Sequence, residues 1–247
     1  MNFQLNDEQK ELQSAAIKFA RAEMPAVAAA CEETGHPPDR AMLKKLGDMG
    51  FLGINIPQSL GGLGLGNLEA LLVLEEFAKI SSASAFPIFE ANVGPVHALV
   101  HFASDALKHE VVPKVCRGEM VLAVSMSEPQ AGSALTDLTT RGEVKDGKVI
   151  LNGQKRWCSG GGHSDGYLVY ARLSDDPGSK GIGAVFVDKD TPGLSFGAQE
   201  HLMGFRGVPS ADIFLDNVEV PESHVVVPAG GFRKLMEAFD LERCGNA

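Results

Sequence analysis

The apolar pattern of this chain changes period near residue 120, and that change limits the folds open to it. Before it, apolar residues recur at steps of three and four, as on a helix with one buried face. Leu5, Leu12, Ala16, Phe19 and Ala20 trace such a face, with Asp7 and Glu8 in the first turn, where the helix dipole favours acids. Residues 39–50 predict a second helix, with Asp39 as N-cap, Met42, Leu43 and Leu46 inward and Gly50 at the stop. Residues 67–80, 89–102 and 104–116 complete the helical set. Between the second and third helices, IPQSLGGLGLG (56–66) combines a helix-blocking proline with glycines that permit positive φ, so a folded-back loop is expected. It lacks the Lys-Ser/Thr that completes a P-loop.

From 121 to 220 the pattern alternates. VLAVSMSE, KVILNGQKRWCS, DGYLVYARL, GIGAVFVD and ADIFLDNVEV are short runs of β-formers, punctuated by Asp-Gly, Asn-Gly, Asp-Pro-Gly and Thr-Pro-Gly. Strands so closely spaced predict a closed or nearly closed antiparallel barrel. Asn152-Gly153 reads as a hairpin turn, which places Trp157 two or three pleats along the next strand. No GxGxxG follows a strand, so a Rossmann unit is not expected. Helical spacing returns at 231–242, where Phe232, Leu235, Met236 and Phe239 line one side. The expected fold class is α+β and multidomain: a helical domain over 1–120, a β-barrel domain over 121–227, and over 228–247 the first helix of a further helical domain. A last helix with nothing to cover its apolar side reads as unfinished, so a longer polypeptide is expected.

A net charge of −10 supplies no basic field to displace counterions, which excludes a nucleic-acid partner; a nucleotide cofactor needs only local groups. No run of about 18 apolar residues is present to span a membrane. The opening MNFQLNDEQKEL lacks the pattern of a signal peptide. Cys31, Cys116, Cys158 and Cys244 are scattered without CxxC spacing, which excludes a standard zinc cluster and fits free, inert thiols in a reducing cytoplasm.

Three stretches carry candidate chemistry. Ser125–Ser133 (SMSEPQAGS) is a strand running into a Pro/Gly turn. It offers edge amides and hydroxyls that suit a heteroaromatic ring followed by a phosphate, or else makes an ordinary hairpin turn. In Leu151–Ser159 (LNGQKRWCS), Trp157 is the only tryptophan and could stack on a planar cofactor or sit in a core. In Phe239–Arg243 (FDLER), Asp240 and Arg243 share a helix face, as does a plain surface ion pair.

The SEPxAGS, NGxKxWxS and DxER runs together resemble the acyl-CoA dehydrogenase family. So do the opening FxLxxEQ, the GFLGINIPxxxGGLG loop, the DTPGL turn and the MGFRG…DNVEVP segment, and the resemblance covers the whole chain. It implies an N-terminal helical domain, a middle β-barrel and a C-terminal four-helix bundle, the last absent from this chain, in a homotetramer or homodimer. The implied activity is oxidation of an acyl-CoA thioester to its α,β-unsaturated form, with FAD as hydride acceptor and an electron-transferring flavoprotein as partner. Relatives with variant chemistry (oxidases, monooxygenases, desulfinases) and a non-catalytic flavin- or CoA-binding subunit are the alternatives. Carried over by motif, Val124, Met126, Ser127 and Ser133 would contact the flavin and its pyrophosphate, Trp157 would stack beside it and Ser159 would bond to it. Ser133, Asp240 and Arg243 would meet the CoA portion. Most of the family carries its catalytic base in the C-terminal bundle; a minority carries it one residue before the arginine of the third motif, here Glu242. The family run commonly continues with Asp after AGS, where this chain has Ala134, so a common fatty-acyl specificity does not transfer. Residues 86–100 should line the acyl pocket, where Glu90, Asn92 and His97 suit a short, branched, aromatic or polar acyl group better than a long alkyl chain.

Overall fold

The computed structural model describes residues 4–247. Helix α1 (Asp7–Thr34) opens on a capping box in which Asn6 and Gln9 satisfy each other's amides, and ends at Gly35 in the left-handed region. Asp39 caps α2 (Arg40–Asp48) as expected, its carboxylate accepting from the Met42 amide at 2.8 Å. Helix α3 spans Asn67–Ala78 and α6 spans Asp105–Cys116. The phenyl rings of Phe19, Phe51 and Phe77 meet at 5.4–5.9 Å in the helical core.

The helix expected over 89–102 is two helices. Helix α4 starts earlier, at Ser82, and stops at Asn92; α5 runs Pro95–Phe102. Pro95 has no amide to continue the α4 ladder and pushes the residue before it out of the helical region, so it begins a new helix instead. At this break the buried Asn92 side chain accepts from the Ile54 amide (2.6 Å) and donates to the Phe51 (2.9 Å) and Ile88 (2.7 Å) carbonyls. It fastens α4 to the loop after α2. That loop folds back on itself as the glycines predicted, with Leu63 and Leu65 amides reaching the Gly53 and Ile54 carbonyls.

The strands are β1 (Leu122–Ser125), β2 (Arg141–Lys145), β3 (Lys148–Ser159), β4 (Gly166–Arg172), β5 (Ile182–Asp188), β6 (Leu194–Phe196), β7 (Ser210–Pro221) and β8 (Val225–Val227). They form one sheet in the order β6-β7-β3-β2-β4-β5-β8. The β domain is present as expected, and two features refine the expected closed or nearly closed antiparallel barrel. No ladder joins β6 to β8 among the described residues, so hydrogen bonding does not close the sheet. β1 runs parallel to β4 and lies off this path. β4 is buried on both faces: Leu168 and Tyr170 join the helical core, while Tyr167, Val169 and Ala171 join a second core with Val149, Leu151 and Ile213.

Asn152-Gly153 is not a turn. The β2–β3 turn is Asp146-Gly147, both at positive φ (51° and 74°), as a two-residue hairpin requires. Gly153 lies within β3 at a shift of register against β7, with φ 151°. A Cβ there would stand 2.5 Å from the Thr140 hydroxyl, so the Asn-Gly pair reports a close strand crossing. Helix α7 (Phe232–Gly245) then returns across the helical core through buried Leu235.

Asn92→Leu should lower stability by about 2–4 kcal/mol in urea denaturation, because it leaves the Ile54 amide and the Phe51 carbonyl buried and unpaired.

Candidate functional site

β3 decides where the site lies. Lys155 pairs with Ile213 and Cys158 with Ala211, so three steps along β3 oppose two along β7. Simple alternation would turn Trp157 to the same side as Lys155, which is 1% exposed. The bulge breaks that parity and turns the indole outward, 64% exposed, with its Nε1 donating to Glu200 at 3.1 Å. Arg156, clamped by Asp212 (Nε to Oδ1, 2.8 Å), holds its guanidinium 5.7 Å from the indole centroid.

Lys155, turned inward, meets Glu128 of the SEPxAGS run: Nζ to Oε1 is 2.8 Å and both side chains are 1% exposed. Glu128 also accepts from the Thr139 amide (2.6 Å), the Thr139 hydroxyl (2.9 Å) and the Thr140 amide (2.9 Å). Burial opposes its charge, but Lys155 and these donors together hold the carboxyl well below its usual range. Burial pulls the Lys155 ammonium down, and Glu128 resists that pull. Lys155 further donates to the Met126 carbonyl (3.1 Å), and the Arg156 amide donates to the Ser127 carbonyl (2.9 Å). The end of β1 is thereby fastened to β3 just where the bulge presents Trp157. Glu128 and Lys155 lay inside the two motifs read from the sequence but were not singled out; both sit among other polar residues, so nothing local marked them as a buried pair.

Between these strands, α4 and α7 lies a cleft of about 200 Å³. Val124, Met126, Ser127, Trp157, Ser159, Glu242 and Arg243 all line it, as the sequence predicted for one site, together with Phe86, Phe89 and Glu90 of α4. Burial raises the Glu242 carboxyl to about 7, with Arg243 working against the shift. The Arg243 guanidinium lies 5.2 Å from the Phe239 centroid.

Two predicted residues do not line the cleft. Ser133 is exposed on the turn after β1, and Asp240 is exposed on α7. Asp240 and Glu242 stand about 200° apart around a helix, so facing one to the cleft turns the other away. No ion pair joins Asp240 to Arg243 among the described residues. Within 86–100, Asn92 and His97 are likewise absent from the cleft: Asn92 fastens the loop after α2, and the His97 ring lies 4.3 Å from that of His101. Phe205 and Asn246, which sequence reasoning did not pick out, complete the wall. Cys116 and Cys158 are buried free thiols, raised by burial to about 11 and about 12, which fits inert cysteines.

The donor set fits a flavin. An exposed indole face, the Ser127 and Ser159 hydroxyls and the end of a strand border one cleft, which is what a planar ring with polar edges needs.

Residues 6–119 match the family model "Acyl-CoA dehydrogenase, N-terminal domain", and residues 123–218 match "Acyl-CoA dehydrogenase, middle domain". The chain belongs to the acyl-CoA dehydrogenase family. It is 34% identical to 3-sulfinopropanoyl-CoA desulfinase of Variovorax paradoxus, over 98% of this chain and 62% of that protein. It is also 34% identical to the mitochondrial 2-methylacyl-CoA dehydrogenase of Solanum tuberosum, over 97% of this chain and 58% of that protein. Acyl-CoA dehydrogenase from Geobacillus kaustophilus superposes with a TM-score of 0.93 at 27% identity, covering 99% of this chain and 65% of that one. The chain thus spans about 60% of the length of the curated relatives it matches.

In this member of the family, Lys155→Met should cost about 3–5 kcal/mol in urea denaturation, since it strands a buried carboxylate. Lys155→Met combined with Glu128→Leu should recover most of that loss, and a double variant no more stable than the single one would refute the account.

Proposed function

We propose that this chain carries the flavin wall and part of the thioester site of an FAD-dependent enzyme that oxidises the Cα–Cβ bond of an acyl-CoA. The observation that supports this most is one cleft that holds both the outward-turned Trp157 and a half-buried glutamate raised to about 7. Val124, Met126 and Ser127 would border the flavin along one edge, Trp157 would stack beside it and Ser159 would offer a hydroxyl. When bound, FAD supplies the oxidant that takes the β-hydride, and the electrons pass on to an electron-transferring flavoprotein.

Glu242 is the proposed base for the α-proton. An ordinary carboxylate is too weak a base for this step. Burial in an apolar wall raises it toward the working pH, while Arg243 keeps enough of it ionised to act. Arg243 at the mouth suits the charged CoA portion, where a fixed guanidinium fork matches phosphate. Ser133 and Asp240, exposed outside the cleft, could meet only those parts of the ligands that leave it, such as the pyrophosphate and the CoA arm. Identity to a desulfinase equals identity to a dehydrogenase and does not separate the two reactions. A raised carboxyl in the cleft favours proton abstraction and hence dehydrogenation. Assembly into a homodimer or homotetramer belongs to the same proposal.

Two measurements test this reading. Titrating FAD into the protein should quench the emission of its one tryptophan; FAD retained with emission unchanged would remove Trp157 from the flavin wall. In the intact protein that carries this chain, Glu242→Gln should lower kcat by about 10²–10⁴. Because Glu242 must be deprotonated to act, kcat/KM should fall as pH drops through about 7, to about a tenth of its plateau one unit below. Normal turnover in Glu242→Gln would end its assignment as base.

A further inference from the structure

Trp157 is held from behind the cleft. It lines the cleft itself, whereas Arg156, Asp212 and Glu200 do not. The Arg156 guanidinium stands over one face of the indole, 5.7 Å from the ring centroid. The opposite face is therefore the one left to the cleft. The edge of the ring is held as well, because Nε1 donates to Glu200 at 3.1 Å.

Both holding groups are themselves fixed. Asp212, with a side chain only 8% exposed, takes two nitrogens of the guanidinium fork, Nε at 2.8 Å and a terminal nitrogen at 2.5 Å. Gln154 donates to the same carboxylate at 3.0 Å. Glu200 is seated by its backbone, whose amide donates to the Ser210 carbonyl at 2.9 Å. Its neighbour Gln199 donates to the Gly161 carbonyl (2.8 Å) and accepts from the Ser210 amide (3.1 Å), tying the segment between β6 and β7 to the turn after β3. Glu200 also favours the Arg156 charge, so one guanidinium faces two carboxylates. That balance leaves no excess positive charge to attract an anionic cofactor. What the arrangement supplies is order: an exposed indole would otherwise have to be immobilised each time a ring stacks on it, at the expense of affinity.

Resting on the flavin reading above, we propose that Arg156 and Glu200 are positioning residues for the cofactor, which fix the indole before the flavin arrives and confine stacking to its cleft-facing side.

The test uses the intact protein, freed of flavin and labelled with 5-fluorotryptophan; the Trp157 fluorine resonance is the one lost in Trp157→Phe. Arg156→Ala and Glu200→Ala should each narrow that resonance and move it toward the free amino acid. Each should also weaken FAD binding in calorimetry by about 2–10-fold, the effect of having to order one side chain on association. Glu200→Gln, whose amide oxygen still accepts from Nε1, should keep most of the affinity. In a Trp157→Ala background neither alanine substitution should weaken FAD binding further, because the residue they act through is gone. Arg156→Ala leaves the Asp212 carboxylate without its partner, so urea denaturation checks its folding; Glu200 lies on an exposed segment, and its variants carry the test alone if Arg156→Ala does not fold. An unchanged resonance and Kd in Glu200→Ala, or a loss of affinity that persists in Trp157→Ala, would overturn the inference and leave the flavin reading standing. FAD that binds without shifting the Trp157 resonance would take the indole out of the flavin wall, and both would fall together.

Discussion

The Lys155–Glu128 ion pair is the interaction on which the candidate site depends. Two charges leave water completely, and the pair is tolerable only because Thr139, Thr140 and the Met126 carbonyl satisfy what the partners do not. The arrangement joins the turn after β1 to the middle of β3. It also fixes which way β3 faces at residue 155, and so makes the bulge at the next two residues a defined feature. An apolar pair of equal volume could supply comparable stability but would not bind the Met126 carbonyl or hold the Glu128 turn.

Trp157 shows how a local irregularity becomes a functional wall. A large indole, 64% exposed near the end of a long strand, makes little sense as core and much sense as a platform. The bulge costs ladder pairing, and the Arg156–Asp212 clamp on the adjacent residue offsets part of that cost. α7 then brings Glu242 to the opposite side of the same cleft by packing Leu235 into the helical core. The two walls come from segments more than eighty residues apart, and neither makes a site alone.

Much of the fold was legible in the sequence because it follows from period and punctuation. The Asp39 cap, the folded-back 56–66 loop and the switch from helix to strand near residue 120 depend on neighbouring residues, so local reading found them. The errors arose where tertiary context outweighed a local signal. Asn152-Gly153 has the composition of a hairpin turn, yet Asp146-Gly147 makes the turn and Gly153 is needed for the approach of Thr140. The helix over 89–102 looked continuous because its apolar spacing runs through Pro95, which breaks it. Asn92 and His97 were placed in the acyl pocket by proximity along the chain, but the turn of the helices faces them elsewhere.

The sequence alone determined the order of helical and β segments, the motifs that identify the family, and the set of side chains from which a flavin and thioester site could be drawn. These are properties of composition and spacing along one dimension. Only the tertiary structure decided that Trp157 faces out, that Glu128 and Lys155 neutralise each other, and that Arg156 and Glu200 hold the indole from behind. It also decided that Asp240 turns from the cleft while Glu242 turns into it. Each of these depends on strand register, on helix rotation or on the loss of water around a charge. Those quantities exist only once distant segments have packed together.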